Sequence, residues 1–441
     1  MCALILKIQG NWTQRSRQVG IFGKITDPMR TKFFLLAFVG TFMFLSCDNE
    51  DDGDYAEYLI ARPLLMDKSE FATSVTIIAP RPIEESGKVY TYGNYIFIND
   101  KYQGIHVVDN SNPSQPVRTG FIKIPGNVDI SIKDDHLFAD SLMDLVVLDI
   151  SDMDNIKTVN RLENVLQSFV VFPAGARVVD PVSYDWQDQV LVGWTTTTER
   201  RLISEMEPGG RLVLNDGVAK SSNSGTGQGG SMARFKIVGD HLYAVDSRNI
   251  NVFQIGDLNN PQDLGDVHAG IDIETIFNQG DHLFLGSMRG MYIYDISSPG
   301  SPSFVSEFAH GTACDPVVVD GDYAYVTLRG GNWCGATESG LYIVDISVIE
   351  KPVLAVSYPL DGPYGLGVKD EKLFVCDGES GLKVYDKTDI NALKELDHFK
   401  DIVTFDVIPM ENHLIMVGDG ILYQYEYLEG GIKLLSQIGL D

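Results

Sequence analysis

The side chains best suited to covalent or metal chemistry lie in two neighbouring segments. "HGTACDP" (310–316) contains His310 and Cys314, and "RGGNWCGATESG" (329–340) contains Cys334. Two cysteines 20 residues apart favour a disulfide that would pin the longer segment. Metal binding with His310 is the alternative, but a zinc site needs four ligands and the sequence shows no clear third or fourth protein ligand. We therefore predict a Cys314–Cys334 disulfide, with no metal and no cofactor.

Arginines, aromatic rings and histidines form a second group of candidates. Arg248, Arg289 and Arg329 follow one another at steps of 41 and 40 residues. Guanidinium groups bind anions and sugar hydroxyls, and aromatic rings offer faces for stacking. We predict that these arginines form a basic arc on one face, where an anionic or sugar-like ligand or a protein epitope binds. The ligand-face candidates are Arg248, Arg289, Arg329, Trp333, Tyr102, Tyr364, His268 and His310. The alternative is that turn-forming loops ordinarily carry Asp, Ser, Gly and Arg.

Sequence signatures of catalysis are absent. The chain has no G-x-S-x-G, H-E-x-x-H, P-loop or EF-hand pattern. Four of its eight histidines recur at one position of a repeat, which favours a structural role: His136, His241, His282 and His413. Acids are plentiful enough for a paired-carboxylate hydrolase, but abundance does not indicate pairing. The sequence favours a binding protein, and a polysaccharide hydrolase or lyase with its site in a central funnel is the alternative.

These residues sit within an internal repeat. Similar apolar segments end at residues 109, 149, 254, 295, 345, 386 and 425, and most steps between them are 39 to 41 residues. The segments are "GIHVVD" (104–109), "DLVVLD" (144–149), "NINVFQ" (249–254), "GMYIYD" (290–295), "GLYIVD" (340–345), "GLKVYD" (381–386) and "GILYQY" (420–425). A second apolar run lies upstream of each, after a turn sequence. A repeat of about 40 residues with four short strands predicts a β-propeller blade.

Asp and Ser recur directly after these segments, as in "DISSPGSP" (295–302) and "DISVIEKP" (345–352). Side-chain oxygens of both residue types cap turns by accepting bonds from backbone N–H groups. A residue that recurs once per repeat is better explained by capping than by catalysis. We therefore interpret this motif as part of the scaffold.

The segments "LYIVDIS", "LVVLDIS" and "MYIYDIS" at this period resemble the LVIVD-repeat family of bacterial β-propellers. The resemblance covers roughly residues 75–441, although residues 254 and 425 depart from Asp. It implies a propeller located in the cell envelope. The seven copies of the repeat predict an all-β protein with seven four-stranded blades. An insertion at 163–232 follows the second blade. Because it could form an additional blade, a propeller of eight blades is the alternative. The family implies no particular reaction.

The N-terminal region resembles a bacterial lipoprotein signal. A basic start at Met29 precedes a 13-residue apolar run (33–45), and "FLSC" then ends at Cys47, the expected lipidation site. An ordinary cleavage site is the alternative. The acidic "DNEDDGD" (48–54) resembles the surface-export tag of Bacteroidetes lipoproteins. We expect an outer membrane lipoprotein displayed at the cell surface, with the periplasmic face as the alternative.

These features divide the chain into four parts. Residues 1–28 form an upstream extension, 29–46 the signal peptide, 47–70 an acidic tether and 71–441 the propeller. In the insertion, "DQVLVGWTTT" (188–197) predicts a long strand of a protruding hairpin, and "SSNSGTGQGGS" (221–231) is typical of a flexible linker.

Charge and cysteine content limit the partners. The net charge of −27 opposes phosphate backbones, so we expect no nucleic acid partner. The expected partner is a protein or a glycan, and the membrane is contacted only through the lipid on Cys47. Cys376 lies within an apolar run and is predicted to be a buried thiol.

Overall fold

The structure of the protein is a computed structural model. It describes residues 55–168, 170, 172–173, 176, 178–179, 184–202, 228–309, 316–330 and 338–440. One compact unit comprises residues 1–55 with 202–207, and the other comprises 56–201 with 208–441. The description below concerns the second unit. Among the described residues, no helix is long and apolar enough to cross a bilayer.

The chain begins with elements that precede the repeats and continues with two four-stranded sheets. The first elements are β1 (Tyr55–Asp67), α1 (Lys68–Phe71) and β2 (Thr76–Ile78). Sheet 1 contains β3 (Ser86–Tyr92), β4 (Tyr95–Asp100), β5 (Gly104–Asp109) and β6 (Val117–Lys123). Sheet 2 contains β7 (Ile130–Lys133), β8 (His136–Ser141), β9 (Asp144–Asp149) and β10 (Lys157–Leu162). The insertion then supplies β11 (Val178–Val179), β12 (Gln189–Leu202) and β13 (Gln228–Gly229).

Five more sheets follow in chain order. Sheet 3 contains β14 (Phe235–Val238), β15 (His241–Val245), β16 (Asn249–Gln254) and β17 (Gln262–His268). Sheet 4 contains β18 (Ile273–Gln279), β19 (His282–Ser287), β20 (Gly290–Asp295) and β21 (Ser303–Ala309). Sheet 5 contains β22 (Val317–Asp320), β23 (Tyr323–Leu328), β24 (Gly340–Asp345) and β25 (Val353–Pro359). Sheet 6 contains β26 (Leu366–Lys369), β27 (Lys372–Cys376), β28 (Leu382–Asp386) and β29 (Lys394–Phe399). Sheet 7 contains β30 (Thr404–Pro409), β31 (His413–Gly418), β32 (Ile421–Leu428) and β33 (Gly431–Gly439).

The repeated apolar segments are the third strands of these sheets. "GLYIVD" is β24, which pairs with the upstream run in β23 through Tyr323 and Asp345 at one end. Its Leu341, Ile343 and Val344 are buried between neighbouring sheets, as the near-continuous apolar pattern predicted. The four recurring histidines each begin a second strand, in β8, β15, β19 and β31. The predicted strand pattern and the structural role of these histidines are confirmed.

The first strands of the seven sheets form a closed ring. β3 contacts β7, β7 contacts β14, and the contacts continue through β18, β22, β26 and β30 back to β3. Each sheet is an up-and-down antiparallel meander that runs outward from this ring. Four-stranded sheets arranged radially around a centre define a β-propeller.

The ring closes by packing between sheets 1 and 7. β2 extends the outer edge of sheet 1 by pairing with β6, while β33 remains the outer strand of sheet 7. Val89 and Ile98 of sheet 1 share an apolar cluster with Ile415 of sheet 7. The amides of Asn110 and Gln424 bond to each other across this junction, at 3.0 and 2.7 Å.

The recurring Asp and Ser cap the turn between the third and fourth strands. In sheet 5, Oδ1 of Asp345 accepts bonds from the backbone N–H of Ser347 at 2.9 Å and from its hydroxyl at 2.6 Å. These two bonds, the hydroxyl first, lower the pKa of Asp345 below its usual value. The same arrangement occurs at Asp109, Asp149, Asp295 and Asp386. The capping interpretation of the motif is therefore confirmed.

The glycine that opens the motif is required by close approach of the fourth strand. At Gly290, a Cβ would overlap the carbonyl oxygen of Phe308 in β21. Backbone of a paired strand has little freedom to move away. A side chain at Gly290 is therefore excluded by packing.

We predict that Gly290→Ala destabilises the protein by about 1–3 kcal/mol, the usual cost of overpacking. The free energy of unfolding in urea would measure this. Gly430→Ala is the matched control, since a Cβ at Gly430 would meet nothing within 4 Å. Its effect should stay within about 0.5 kcal/mol. Equal effects of the two substitutions would contradict the close-approach explanation.

The N-terminal strand and the insertion form a separate three-stranded sheet in the order β11, β1, β12. β1 runs parallel to β11, and Arg62 of β1 donates a bond to the hydroxyl of Thr197 in β12 at 2.7 Å. Residues 55–67, which the sequence assigned to an acidic tether, are therefore a strand. The predicted long strand is present as β12, and among the described residues its partner is β1. We call β1, α1, β11 and β12 the cap.

Candidate functional site

One end of the sheets carries the loops in which the sequence predicted a ligand site. Consecutive antiparallel strands alternate in direction, so the loop that enters each sheet and the loop between its second and third strands lie at the same end. We call this end the loop face. The insertion leaves β10 and enters β14, so it also starts and finishes on the loop face.

The cap lies on the loop face over sheets 1 and 2. Val192 of β12 packs with Phe71 of α1 and with Leu142, from the loop between β8 and β9. Gly193 lies against the ring of Tyr102, where a Cβ would come within 2.9 Å. As a result Tyr102 is only 6% exposed. The prediction that Tyr102 offers an open stacking face is therefore wrong, because the cap covers it.

Residues 228–234 fill the centre of the ring, and we call them the plug. β13 pairs with the inner edge of β3, on the side away from β4. The hydroxyl of Ser231 accepts a bond from the backbone N–H of Leu366 in β26 at 2.8 Å. A Cβ on Gly230 would overlap the carboxylate of Asp406 in β30. The end of the segment predicted to be a flexible linker is therefore packed against inner strands.

Buried acids of the loop face hold the loops in place. Oδ1 of Asp377 accepts bonds from the backbone N–H groups of Asp361 and Gly362 at 3.1 and 2.8 Å. Asp100 accepts two such bonds from the loop that enters sheet 1. Asp140 does the same for the loop that enters sheet 2. These side chains are fully buried and serve the scaffold.

Beside the plug lies a buried group of charges. Nζ of Lys88 is 2.8 Å from Oδ2 of Asp129, which also accepts a bond from the backbone N–H of Arg234 at 2.7 Å. Burial lowers the pKa of Lys88 to about 8, although Asp129 opposes the change. Burial also raises the pKa of Asp140 to about 7, against the effect of its bonds from backbone N–H groups. Asp140 therefore holds a proton more tightly when the protein is folded.

We predict that Asp140→Asn gains stability relative to wild type as the pH rises. A raised carboxyl pKa contributes stability that is complete below the unfolded value near 3.9 and is lost as the pH rises through about 7. The amide keeps an oxygen for the backbone N–H groups of Val128 and Asp129 but does not ionise. Between pH 5 and 8 the difference in unfolding free energy should grow by about 2–3 kcal/mol in favour of the variant.

Urea unfolding at both pH values measures this difference. Asp345→Asn is the control, because the lowered pKa of Asp345 keeps its carboxylate ionised in folded and unfolded protein throughout this range. Its difference from wild type should therefore be the same at pH 5 and pH 8. A pH-independent difference for Asp140→Asn would show that Asp140 is not held protonated by burial.

A cavity of about 270 Å³ opens on the part of the loop face between sheets 1 and 7. Tyr364 and Phe405 form an aromatic wall, with ring centroids 5.2 Å apart and nearly perpendicular planes. Lys101 is paired with Glu85 at 2.8 Å. The charged groups that line the cavity are Glu84, Glu85, Lys101, Asp406 and Asp419. The four carboxylates outnumber the ammonium group of Lys101 and the guanidinium group of Arg81, which pairs with Glu84, so the cavity has a negative potential. The two rings give it an apolar side.

Two predicted ligand-face residues come together beside the cavity. The guanidinium carbon of Arg329 lies 4.0 Å from the centroid of the Tyr364 ring, which is cation–π geometry. Tyr364 faces the cavity, while Arg329 does not line it. Arg329 therefore contacts the ring of Tyr364 without lining the cavity itself.

The other described candidates do not line the cavity. Arg248, Arg289 and His268 are exposed on the loop face, and Arg289 lies 3.5 Å from Asp272 in an exposed ion pair. Cys376 is buried with a free thiol, as predicted. Several residues named by the sequence lie outside the described residues: Cys47, His310, Cys314, Trp333 and Cys334.

Sequence reasoning missed most of the cavity. Lys101 and Asp419 lie in loops between second and third strands. The period of the repeat therefore predicts that both lie on the loop face. Phe405 and Asp406 belong to β30, an inner strand that borders the centre of the ring. The repeat motif marks second and third strands, so it gives no signal for these two residues.

The sheets, the ring of inner strands and the repeat motif define the protein as a β-propeller with LVIVD repeats. The model of the LVIVD repeat family matches residues 85–122, 275–309 and 310–359. A comparison with curated proteins found no match.

Solved structures with a similar fold are distant in sequence. A protein from Lactobacillus plantarum is 13% identical over 80% of this chain and 96% of its own, with a TM-score of 0.49. Hsv2 from Kluyveromyces lactis is 11% identical over 81% of this chain and 100% of its own, with a TM-score of 0.47. BamB from Moraxella catarrhalis is 9% identical over 83% and 98%, with a TM-score of 0.45. Likenesses of this extent carry no functional argument.

Proposed function

We propose that the protein is a non-enzymatic binding module that takes up a protein or glycan ligand through the uncovered part of its loop face. In this proposal each of the seven sheets is one blade of a seven-bladed propeller. The chain is anchored in the cell envelope by a lipid on Cys47, as an outer membrane lipoprotein displayed at the surface. The lipoprotein-like signal before Cys47 supports the anchor.

The cavity beside Tyr364 is the observation that carries the proposal. It combines an aromatic wall with carboxylates that accept hydrogen bonds. Binding sites in proteins are concave, with apolar walls and a few polar groups that orient the ligand. Hydroxyl groups of a sugar or ammonium and amide groups of a protein would both find acceptors here. An anionic ligand would be repelled.

The plug and the buried acids favour binding over catalysis. A hydrolase of the paired-carboxylate type needs two carboxyl groups free to act on substrate. Asp100, Asp140 and Asp377 instead accept bonds from backbone N–H groups of their own loops. The plug occupies the centre, where a deep funnel would otherwise begin.

We predict that Asp419→Lys weakens binding of the ligand roughly tenfold, because it places a positive charge at the mouth of a negative cavity. Candidate ligands come from a screen of glycans and envelope proteins against the purified protein, and calorimetry then measures the dissociation constant.

Glu411→Lys is the matched control. It makes the same charge change in the same sheet, in the exposed turn between β30 and β31 at the end opposite the loop face. Binding should be unchanged in this variant. Equal losses in both variants, or tighter binding by Asp419→Lys, would contradict a ligand held in this cavity.

A further inference from the structure

The turn at residues 184–188, directly before β12, is held by several hydrogen bonds. Within the turn, Asp185 accepts bonds from the backbone N–H groups of Gln187 at 3.0 Å and Gln189 at 2.7 Å. From the start of α1, Nζ of Lys68 donates bonds to the carbonyl oxygens of Trp186 at 3.0 Å and Gln187 at 2.7 Å. The backbone N–H of Lys68 also donates to the carbonyl oxygen of Asp188 at 2.8 Å. The turn is therefore fixed both internally and to the cap.

This fixed turn displays a large aromatic side chain to solvent. Trp186 is 69% exposed, and nearby Tyr184 is 49% exposed. Tryptophan is highly buried on average in folded proteins. Burial of this indole does not contribute to the fold, because its ring lies in water. A rigid backbone under an exposed ring is preorganised for contact, since little conformational freedom is lost on binding.

The side chains around the indole are polar acceptors. Asp185, Gln187 and Asp188 flank Trp186 and are all exposed. A sugar ring has an apolar C–H face that packs on an aromatic ring and hydroxyl groups that donate to carboxylate or amide oxygens. We propose that the Trp186 turn is a carbohydrate-binding site for neutral sugars, with the indole as the stacking surface and its neighbours as acceptors.

The same surroundings argue against other partners. The carboxylates of Asp185 and Asp188 outnumber the ammonium group of Lys68 at this turn. Together with the net charge of −27 they oppose nucleic acid, anionic lipid and acidic sugars. A stable protein interface needs an apolar core of many residues, whereas the side chains next to Trp186 in the turn are polar. Trp186 and its turn do not line the cavity beside Tyr364, so this site goes beyond the proposed function.

Titration with defined oligosaccharides tests the site. The probes are cellohexaose, mannohexaose and xylohexaose, which are neutral, and hexagalacturonic acid, which is anionic. Intrinsic tryptophan fluorescence and calorimetry follow binding to the full chain. We expect at least one neutral hexasaccharide to bind and hexagalacturonic acid to bind at least about tenfold more weakly.

Four variants identify the contact. Trp186→Ala and Trp186→Leu should each weaken binding about tenfold, and Trp186→Tyr should stay within about threefold of wild type, because it keeps an aromatic face. Leucine retains apolar area without a flat ring, so it separates stacking from a general apolar contact. Phe304→Ala removes an aromatic side chain that is 54% exposed on the outer strand of sheet 4, and it should leave binding unchanged.

Each other outcome decides against the site. If no neutral hexasaccharide binds at millimolar concentration, or if Trp186→Leu binds as wild type does, the proposal is overturned. A partner protein captured only by wild-type Trp186, without sugar binding, would assign the turn to protein recognition instead. If Asp419→Lys abolishes sugar binding and Trp186→Ala does not, the sugar binds in the cavity, and the function proposed above stands without this site.

Discussion

The structure depends on how the centre of the ring is filled. Seven inner strands face one another, and the inner edge of β3 would leave backbone groups without partners if nothing paired with it. The plug supplies that pairing, and Asp129 accepts bonds from both Lys88 and the backbone of the plug. A buried ion pair is stabilising only when its remaining hydrogen-bonding groups are also satisfied. Residues 228–234 are therefore part of the core, although they belong to an insertion.

This way of filling the centre determines which part of the loop face stays open. The plug enters the ring from the connection between sheets 2 and 3, and the described strands β11 and β12 of the same connection belong to the cap. There β12 pairs with β1 and covers the loops of sheets 1 and 2 through Val192 and Gly193. As a result, covered side chains such as Tyr102 are not accessible to a ligand. Among the described residues, none of the cap lines the cavity beside Tyr364.

The regular part of the fold was predictable because its signal is local and repeated. β5, β9, β16, β20 and β24 have the bounds of the repeated segments, and the Asp–Ser caps follow from residue type and position. The cap was not predictable. β11 has two residues, too few for a periodic pattern, and β1 joins strands that are more than 100 residues away in sequence. The Gly-rich start of the plug indicated a linker, whereas Gly230 is needed because the carboxylate of Asp406 occupies the space of a side chain.

Acidic residues show why composition alone does not locate a site. At the end of the second strand, Asp100, Asp246 and Asp377 hold backbone N–H groups, and they do so in three different sheets. Sheet 7 has Gly418 at the corresponding position, where a Cβ would overlap the carbonyl oxygen of Val403. The next residue, Asp419, is exposed and lines the cavity. The acids that recur at the end of the second strand hold backbone of the scaffold, whereas Asp419, one residue beyond that position, leaves its carboxylate available to a ligand.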